Sequence, residues 1–168
     1  MNRSLIIQVL LFFVYLFVQV ILLRNISLFN TAFCFLYIAY ILSLPIDYNR
    51  IVLMVIAFLL GFLVDIFYDS LGMHTSALVA VAFVRNNWLY TIAPQGGYDA
   101  GPTLTANGLQ WFLVYSIPLI AFHHLLLFFI EAGGFSMVGF TLAKAFSSMA
   151  FTLFVMLLLQ YLVIARRR

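Results

Sequence analysis

Charged side chains are scarce in this sequence, which has 8 Lys or Arg and 5 Asp or Glu residues in a length of 168. Charged residues make up 8% of the chain and hydrophobic residues 66%, whereas a soluble domain has about 25% charged and about 45–50% apolar residues. This deficit excludes a soluble globular protein. Three basic residues form a run at positions 166–168, which we interpret as a topology anchor rather than a nucleic-acid site. We therefore expect an integral membrane protein that binds no nucleic acid.

Cysteine and the usual catalytic motifs are also nearly or wholly missing from the sequence. The single cysteine, Cys34, cannot form an intrachain disulfide and is interpreted as a small hydrophobic side chain. The GxSxG, HExxH, Walker and GxGxxG patterns do not occur. The sequence therefore predicts a protein that is not an enzyme, with no catalytic residues and no cofactor.

Six apolar runs predict six transmembrane helices, because about 20 residues are needed to cross a hydrocarbon core of about 30 Å. Their approximate bounds are 4–23, 29–46, 51–68, 73–92, 107–130 and 138–164. The expected fold is an all-α polytopic membrane protein in which residues 1–168 form a single six-helix domain. The longest polar stretch, residues 93–106, is too short for a second domain and is interpreted as a flexible connector.

The basic residues predict the orientation of these helices. With a cytoplasmic N-terminus, the internal segments contain Arg3, Arg50, Arg85 and the terminal arginine run, whereas the external loops contain only Arg24. Cytoplasmic segments of membrane proteins are enriched in Lys and Arg. Both termini are therefore expected to face the cytoplasm.

The other ionisable residues gather toward the external ends of the predicted helices. Because a helix rises about 1.5 Å per residue, Asp65 lies about 21 Å from the start of the third helix and Lys144 about 9–12 Å into the sixth. Ionisable side chains in membranes usually pair with one another, and the candidate partners of Lys144 are Asp65 and Glu131. The expected intramembrane polar cluster consists of Asp65, Asp69, His74, His123, His124, Glu131 and Lys144.

A metal site is not expected in this polar cluster. His123 and His124 are adjacent in a helix and therefore point about 100° apart, which makes joint ligation of one ion difficult. A composite site of Asp65, Asp69, His74 and one of these two histidines is geometrically conceivable. Structural pairing is the favoured interpretation, because intramembrane ionisable residues pair more often than they bind metals.

Small residues repeat every fourth position on two predicted helices. Ala57, Gly61 and Asp65 form such a stripe on the third helix, which would let a neighbouring helix approach the face that carries the carboxylate. A second stripe on the sixth helix consists of Gly139, Ala143 and Ser147. Three glutamines in apolar runs are candidates for hydrogen bonds between helices, namely Gln8, Gln19 and Gln160.

Residues 61–78 read GFLVDIFYDSLGMHTSAL, and this segment resembles the signature of the bacterial rod shape-determining protein MreD family. In that family a glycine and an aspartate close the third helix, and a Leu-Gly pair followed by His or Arg opens the fourth. The corresponding positions in this sequence are Gly61, Asp65, Leu71, Gly72 and His74, with Ala77 following. Weaker agreement extends to Gln19 and Pro45.

The resemblance implies a non-enzymatic, multi-pass scaffold of the cell-elongation machinery in the bacterial inner membrane. Its implied partner is MreC, and through MreC the MreB filament, RodA and a class B penicillin-binding protein, with membrane lipid around it. We expect Gly61 and Gly72 to face a partner transmembrane helix, and Asp65 and His74 to fix that contact by hydrogen bonds. For Asp65, Asn should then be tolerated much better than Leu.

Two other functions are compatible with the sequence. The MreD family looks similar to the six-helix S-components of energy-coupling-factor transporters, which hold a small molecule near the outer leaflet. Those components dock their transport partner through alanines spaced by four in the first helix, and residues 5–23 contain no Ala or Gly. An intramembrane enzyme that uses Asp65 and His74 as acid and base is disfavoured, because no nucleophile or phosphate site accompanies them.

Overall fold

Helices account for most of the chain, as the composition predicts. The computed structural model describes residues 3–93, 97–98, 101–135 and 137–166, with the backbone alone for residues 3–4 and 163–166. The elements in chain order are α1 (Arg3–Phe17) with a π-helical continuation (Val18–Leu23), β1 (Ser27–Leu28), β2 (Ala32–Phe33), α2 (Tyr37–Ser43), α3 (Arg50–Tyr68), α4 (Met73–Thr91), α5 (Leu104–Glu131) and α6 (Val138–Arg166).

Among the described residues, four helices are long and apolar enough to cross a membrane, consistent with a membrane protein. These segments are Leu5–Leu23, Arg50–Tyr68, Leu104–Glu131 and Val138–Leu162. The helix α4 has the same length as α3, 19 residues. It is less apolar because its last turns carry Arg85, Asn86 and Asn87.

Residues 29–46 do not form the single helix that the sequence predicts. The strands β1 and β2 pair as a short antiparallel hairpin, an extended stretch follows, and only Tyr37–Ser43 is helical. Side chains from distant helices satisfy the backbone of the extended stretch. The N–H of Phe33 donates to Ser148 Oγ at 2.9 Å, and the N–H of Phe35 donates to Thr152 Oγ1 at 3.0 Å. Non-helical backbone is tolerated at membrane depth only where protein encloses it in this way.

This irregular segment forms the centre of the bundle. Nearly every residue from 34 to 44 is buried, and the other helices surround it. The largest helix contact joins α3 to α4, and α5 packs between α4 and α6. Tight packing around residues 34–44 therefore places the polar side chains of α4, α5 and α6 in one enclosed interior.

The C-terminal end of α2 is held by a completely buried arginine. Arg85 Nε donates to the Tyr115 hydroxyl at 2.8 Å, and its Nη atoms donate to the carbonyls of Leu44 and Pro45. The Tyr115 hydroxyl in turn donates to the Leu42 carbonyl at 2.9 Å. The last carbonyls of a helix have no partner within the helix, so Arg85 satisfies groups that burial would otherwise leave unpaired.

The predicted connector over residues 93–106 is only partly described, because residues 94–96 and 99–100 lie outside the described residues. The helix α5 begins at Leu104, where the Thr103 hydroxyl accepts a hydrogen bond from the Ala106 N–H. Its backbone leaves helical geometry at Gly108, whose φ is 80°. Regular helix therefore begins close to the predicted residue 107. The side chains of the terminal arginine run also lie outside the described part.

Candidate functional site

The segment that resembles the MreD signature forms the corner between α3 and α4. The helix α3 ends at Tyr68 and is capped by Asp69, which adopts the left-handed conformation with φ of 55°. Leu71 and Gly72 follow, with φ of 49° and 89°, and reverse the chain direction before α4 begins at Met73. Glycine adopts positive φ freely, whereas leucine does so rarely and at a cost. The side chain of Leu71 is 99% exposed at the tip of this corner.

Asp65 accepts four hydrogen bonds, one from the turn and three from the first residues of α4. Its Oδ1 accepts from the Ser70 hydroxyl and from the His74 N–H at 3.0 Å. Its Oδ2 accepts from the Thr75 N–H at 2.8 Å and from the Thr75 hydroxyl. The carboxylate therefore supplies acceptors to free N–H groups of the first turn of α4, where the helix dipole also favours negative charge.

Gly61 allows α3 and α4 to touch at the backbone. A Cβ atom at this position would lie 2.6 Å from Thr75 Cα and 3.0 Å from Thr75 N. The close helix approach predicted from the small-residue stripe is confirmed, but the neighbour is α4 of the same chain. The expectation that Gly61 faces a partner helix is therefore wrong, because Thr75 already occupies that face.

Three buried side chains form a hydrogen-bonded chain behind the corner. The Tyr37 hydroxyl lies 2.8 Å from His74 Nδ1 and 2.8 Å from His123 Nε2. The hydroxyl proton can be donated to only one imidazole, so the other imidazole donates its N–H to the Tyr37 oxygen. His123 Nδ1 is buried and has no hydrogen-bond partner among the described residues. Tyr37, His74 and His123 therefore form a buried structural network in which His123 Nδ1 is left without a hydrogen bond among the described residues.

His124 makes hydrogen bonds separate from those of His123, although the two rings lie edge to face with centroids 5.2 Å apart. Its Nδ1 lies 2.8 Å from the Ile120 carbonyl and its Nε2 lies 3.1 Å from Thr152 Oγ1. A carbonyl can only accept, so Nδ1 carries the proton and Nε2 accepts from the Thr152 hydroxyl. No group of three or more potential metal-ligating side chains occurs in the described part of the chain. The composite metal site conceived around Asp65 is not formed there, because N–H and hydroxyl donors occupy that carboxylate.

Lys144 pairs with Glu131, one of its two predicted partners. Its Nζ lies 2.8 Å from both carboxylate oxygens of Glu131. The ammonium also lies 5.0 Å from the ring centroid of Phe33 and 4.7 Å from that of Phe128. The alternative partner, Asp65, is instead used within the corner. The predicted polar cluster therefore consists of separate groups rather than one ionic network.

A cavity of about 280 Å³ lies where the end of the first helix, the α3–α4 corner, α5 and α6 meet. Its polar lining includes His74 and four ionic side chains, namely Arg24, Asp69, Glu131 and Lys144. Its apolar lining includes four rings, those of Phe33, Phe35, Tyr68 and Phe128. The cavity thus combines converging polar groups with apolar walls, which is typical of small-molecule sites.

Gln19 confirms the prediction of a hydrogen bond between helices. Its amide nitrogen donates to the Tyr68 hydroxyl at 2.7 Å and to the Cys34 carbonyl at 3.0 Å, and its oxygen accepts from the Tyr37 N–H. Gln19 lies in the π-helical turn and is fully buried. A single π turn rotates its side chain inward at this point. Gln8 also contributes, since its side chain accepts from Tyr48.

Several residues of the interior were missed by sequence reasoning. Tyr37 lies in an apolar run and carries no sequence signal for its contacts with two histidines. The sequence marks Arg85 only as a topology signal, whereas in the structure this side chain is fully buried. Thr75 follows His74 directly in the motif, so a search for helix N-terminal capping partners could have found it. Arg24 was likewise not predicted to line a cavity.

The fold and site define an all-helical membrane-type protein with a capped helical corner and an adjoining polar cavity. In comparisons with known proteins, no family model, curated protein or solved structure gave a significant match to the chain. The resemblance to the MreD family therefore depends on residues 61–78, with weaker agreement at Gln19 and Pro45. The corner and the cavity are the two features of the structure that bear on function.

Proposed function

We propose that this protein is a non-enzymatic membrane scaffold of the bacterial cell-elongation machinery, similar to MreD, and that its direct partner is MreC. In this proposal the chain crosses the bacterial inner membrane six times, with both termini in the cytoplasm. The corner between α3 and α4 then faces the exterior. MreB, RodA and a class B penicillin-binding protein are reached through MreC.

Several ionisable side chains are bonded to one another, to hydroxyl groups or to the backbone, and this supports a scaffold function. Asp65 accepts three hydrogen bonds from α4 and one from Ser70 in the turn, and Lys144 is neutralised by Glu131. His74 and His123 share the Tyr37 hydroxyl. Side chains held in this way stiffen the external end of the bundle. A rigid surface loses less conformational entropy when a partner binds.

The observation that carries the proposal is the exposure of Leu71. This residue is 99% exposed at the tip of the corner and adopts a left-handed conformation that leucine rarely takes. Such strained residues persist where the surrounding structure enforces them and cluster at functional sites. The Asp65 hydrogen bonds enforce the turn that presents Leu71. We infer that Leu71, rather than Gly61 or His74, is the corner residue that contacts MreC.

The length of the irregular second segment supports the proposed six-pass topology. The irregular second segment begins beside Ser148 in the first half of α6 and ends beside Arg85 in the second half of α4. A few extended residues at about 3.3 Å each, followed by about eight helical residues at 1.5 Å each, span roughly 25 Å. This length brings the segment close to crossing the hydrocarbon core. Together with α4 it would complete six crossings.

Co-purification with MreC tests this proposal. Leu71→Asn removes the apolar tip but keeps the turn, because asparagine tolerates the left-handed conformation. We expect this variant to insert normally. The amount of MreC that co-purifies with it should be at least about tenfold lower than with the wild-type protein. Tyr90→Asn is the matched control, since Tyr90 is 86% exposed near the end of α4. If Leu71→Asn recovers as much MreC as Tyr90→Asn does, the proposed contact is wrong.

The cavity favours a second candidate, a small-molecule-binding subunit similar to the S-components. Its position at the proposed external end and its mixture of charged and aromatic walls suit that function. The exposed face of α1 has no alanine or glycine for a transport partner to approach closely. Co-purification with an energy-coupling transport ATPase, and not with MreC, would favour this candidate over the scaffold.

A further inference from the structure

We propose that the cavity beside the α3–α4 corner binds a zwitterionic group, in which a phosphate and an ammonium are joined by a short linker, as in ethanolamine phosphate. The source is either the head group of a zwitterionic phospholipid or a free small molecule of the same chemistry. This inference goes beyond the scaffold function and does not depend on it. It depends on the charges, rings and size of the cavity.

The charge of the cavity lining excludes a plain anion as the best ligand. Arg24 and Lys144 supply two positive charges, and Asp69 and Glu131 supply two negative charges. The four ionic side chains therefore sum to zero, and a single anion would gain no net attraction. A ligand that carries one charge of each sign matches such a lining.

Two of the four ionic side chains remain available to a ligand. Lys144 and Glu131 already neutralise each other at 2.8 Å. Neither Arg24 nor Asp69 has an opposite charge within 4.0 Å among the described residues. A guanidinium binds phosphate through paired hydrogen bonds, and a carboxylate accepts hydrogen bonds from an ammonium. Arg24 is therefore assigned to the phosphate and Asp69 to the ammonium.

Aromatic rings strengthen both assignments. The Arg24 guanidinium lies 5.7 Å from the ring centroid of Tyr68, which orients its side chain toward the cavity wall. An ammonium is attracted to the faces of aromatic rings, and Phe35 supplies such a ring in the lining. The combination of a carboxylate with an aromatic wall suits a small cation better than a neutral polar group.

The volume of the cavity and its depth relative to the membrane both fit a lipid head group. Its volume of about 280 Å³ is at the lower limit of small-molecule sites, which are about 300–1,000 Å³. Arg24 directly follows the first apolar segment, Leu5–Leu23, so it lies at the level where a membrane-spanning helix leaves the hydrocarbon core. Lipid head groups occupy that level, and acyl chains would extend outside the cavity.

Thermal unfolding of the full-length protein in a nonionic detergent tests the inference. The single cysteine, Cys34, is 1% exposed and reacts with a fluorogenic thiol dye only when the bundle opens, so it reports unfolding. The probes are dihexanoyl phosphatidylethanolamine, dihexanoyl phosphatidylglycerol and free ethanolamine phosphate. We expect the zwitterionic lipid to raise the midpoint by at least about 3 °C near saturation, because ligand binding stabilises the folded state.

Two variants and two controls identify the site. Arg24→Gln and Asp69→Asn should abolish the rise in midpoint, measured against the unliganded midpoint of each variant, and both should fold because the two side chains are exposed. Asparagine also suits the left-handed backbone at position 69. Arg50→Gln and Asp47→Asn make the same changes at the opposite end of the bundle and should retain the rise.

The remaining outcomes separate the source of the ligand from failure of the inference. If ethanolamine phosphate raises the unfolding midpoint as much as the zwitterionic lipid does, the ligand is a free small molecule. If only the zwitterionic lipid raises the midpoint, the ligand is a lipid head group. The inference is overturned if phosphatidylglycerol raises the midpoint as much as the zwitterionic lipid does, or if no probe raises it. It is also overturned if the control variants lose the rise as fully as the Arg24 and Asp69 variants do. Leu71→Asn should keep the full response because Leu71 does not line the cavity, so loss of MreC binding and loss of ligand binding are distinguishable.

Discussion

The Asp65 carboxylate at the end of α3 accepts a hydrogen bond of 2.8 Å from the backbone N–H of Thr75 in the first turn of α4. The same Thr75 backbone touches Gly61 so closely that a Cβ there would lie 2.6 Å from Thr75 Cα. One residue of α4 therefore contacts both the glycine and the aspartate of the MreD-like motif. The motif residues are coupled through Thr75, and together they fix the angle of the corner.

Substitution of Asp65 should destabilise the protein in a graded order. Asp65→Leu removes both acceptor oxygens and with them four hydrogen bonds, and is expected to lower the free energy of unfolding by about 3–5 kcal/mol. Asp65→Asn keeps one acceptor oxygen but turns an NH₂ group toward donors, so we expect a loss of about 1–3 kcal/mol. The tolerance of Asn predicted from the sequence is thus reduced by the Thr75 N–H, which cannot become an acceptor. Thermal unfolding followed through Cys34 measures both losses, and equal stability of wild type and Asp65→Leu would contradict this role.

Gly61 and Gly139 form a matched pair for testing helix approach. Gly61→Ala should destabilise the protein by about 1–3 kcal/mol, because the new methyl group collides with the Thr75 backbone. Gly139→Ala in α6 meets nothing within 4 Å and should be neutral or stabilising by up to about 1 kcal/mol. Unfolding midpoints of the two variants give the comparison. The proposed close contact would be refuted if the two alanines had the same effect.

Tyr37 is expected to contribute more to stability than an exposed tyrosine does. Tyr37→Phe leaves His74 Nδ1 and His123 Nε2 without their shared partner, and a buried unsatisfied polar group costs about 1–3 kcal/mol. Tyr90→Phe makes the same chemical change at a residue that is 86% exposed, and should alter stability by less than about 0.5 kcal/mol. Chemical or thermal unfolding distinguishes these effects. A stability of Tyr37→Phe equal to that of Tyr90→Phe would mean that the hydrogen-bonded chain is energetically unimportant.

The orientation of the bundle can be measured with a membrane-impermeant thiol reagent on intact cells. Leu71→Cys should be labelled from outside, because the corner is proposed to be external and this side chain is 99% exposed. Tyr90→Cys should be labelled only after the cells are opened. The wild-type protein is the blank, since Cys34 is buried. Labelling of Tyr90→Cys but not Leu71→Cys in intact cells would reverse the proposed topology.

Local sequence patterns predicted those parts of the structure that local forces determine. Run length located the long apolar helices, and helical rise placed Lys144 within reach of Glu131. The second segment could not be predicted, because the groups that hold it extended are the hydroxyls of Ser148 and Thr152, more than a hundred residues away in sequence. An apolar run by itself does not distinguish a helix from an extended segment whose N–H groups are satisfied by other helices.

The candidate site was predicted in composition but not in arrangement. Asp65 was expected to meet a cation, yet it caps α4, because the free N–H groups at a helix start lie within ten residues of it. His74 was expected at a partner surface, yet it is buried against Tyr37. The sequence places Leu71 in the motif but carries no signal that its side chain is the exposed one. That distinction comes only from the backbone conformation of the turn.

Site-specific photo-crosslinking from position 71 tests the scaffold proposal most directly. A photoreactive amino acid in place of Leu71 should form a covalent adduct with MreC in living cells, because the side chain at this position extends away from the bundle. The same amino acid in place of Tyr90 should give no such adduct. Crosslinking to MreC from position 71 alone is the result predicted here. Crosslinking to lipid alone from position 71, or to MreC equally from both positions, would contradict the proposal.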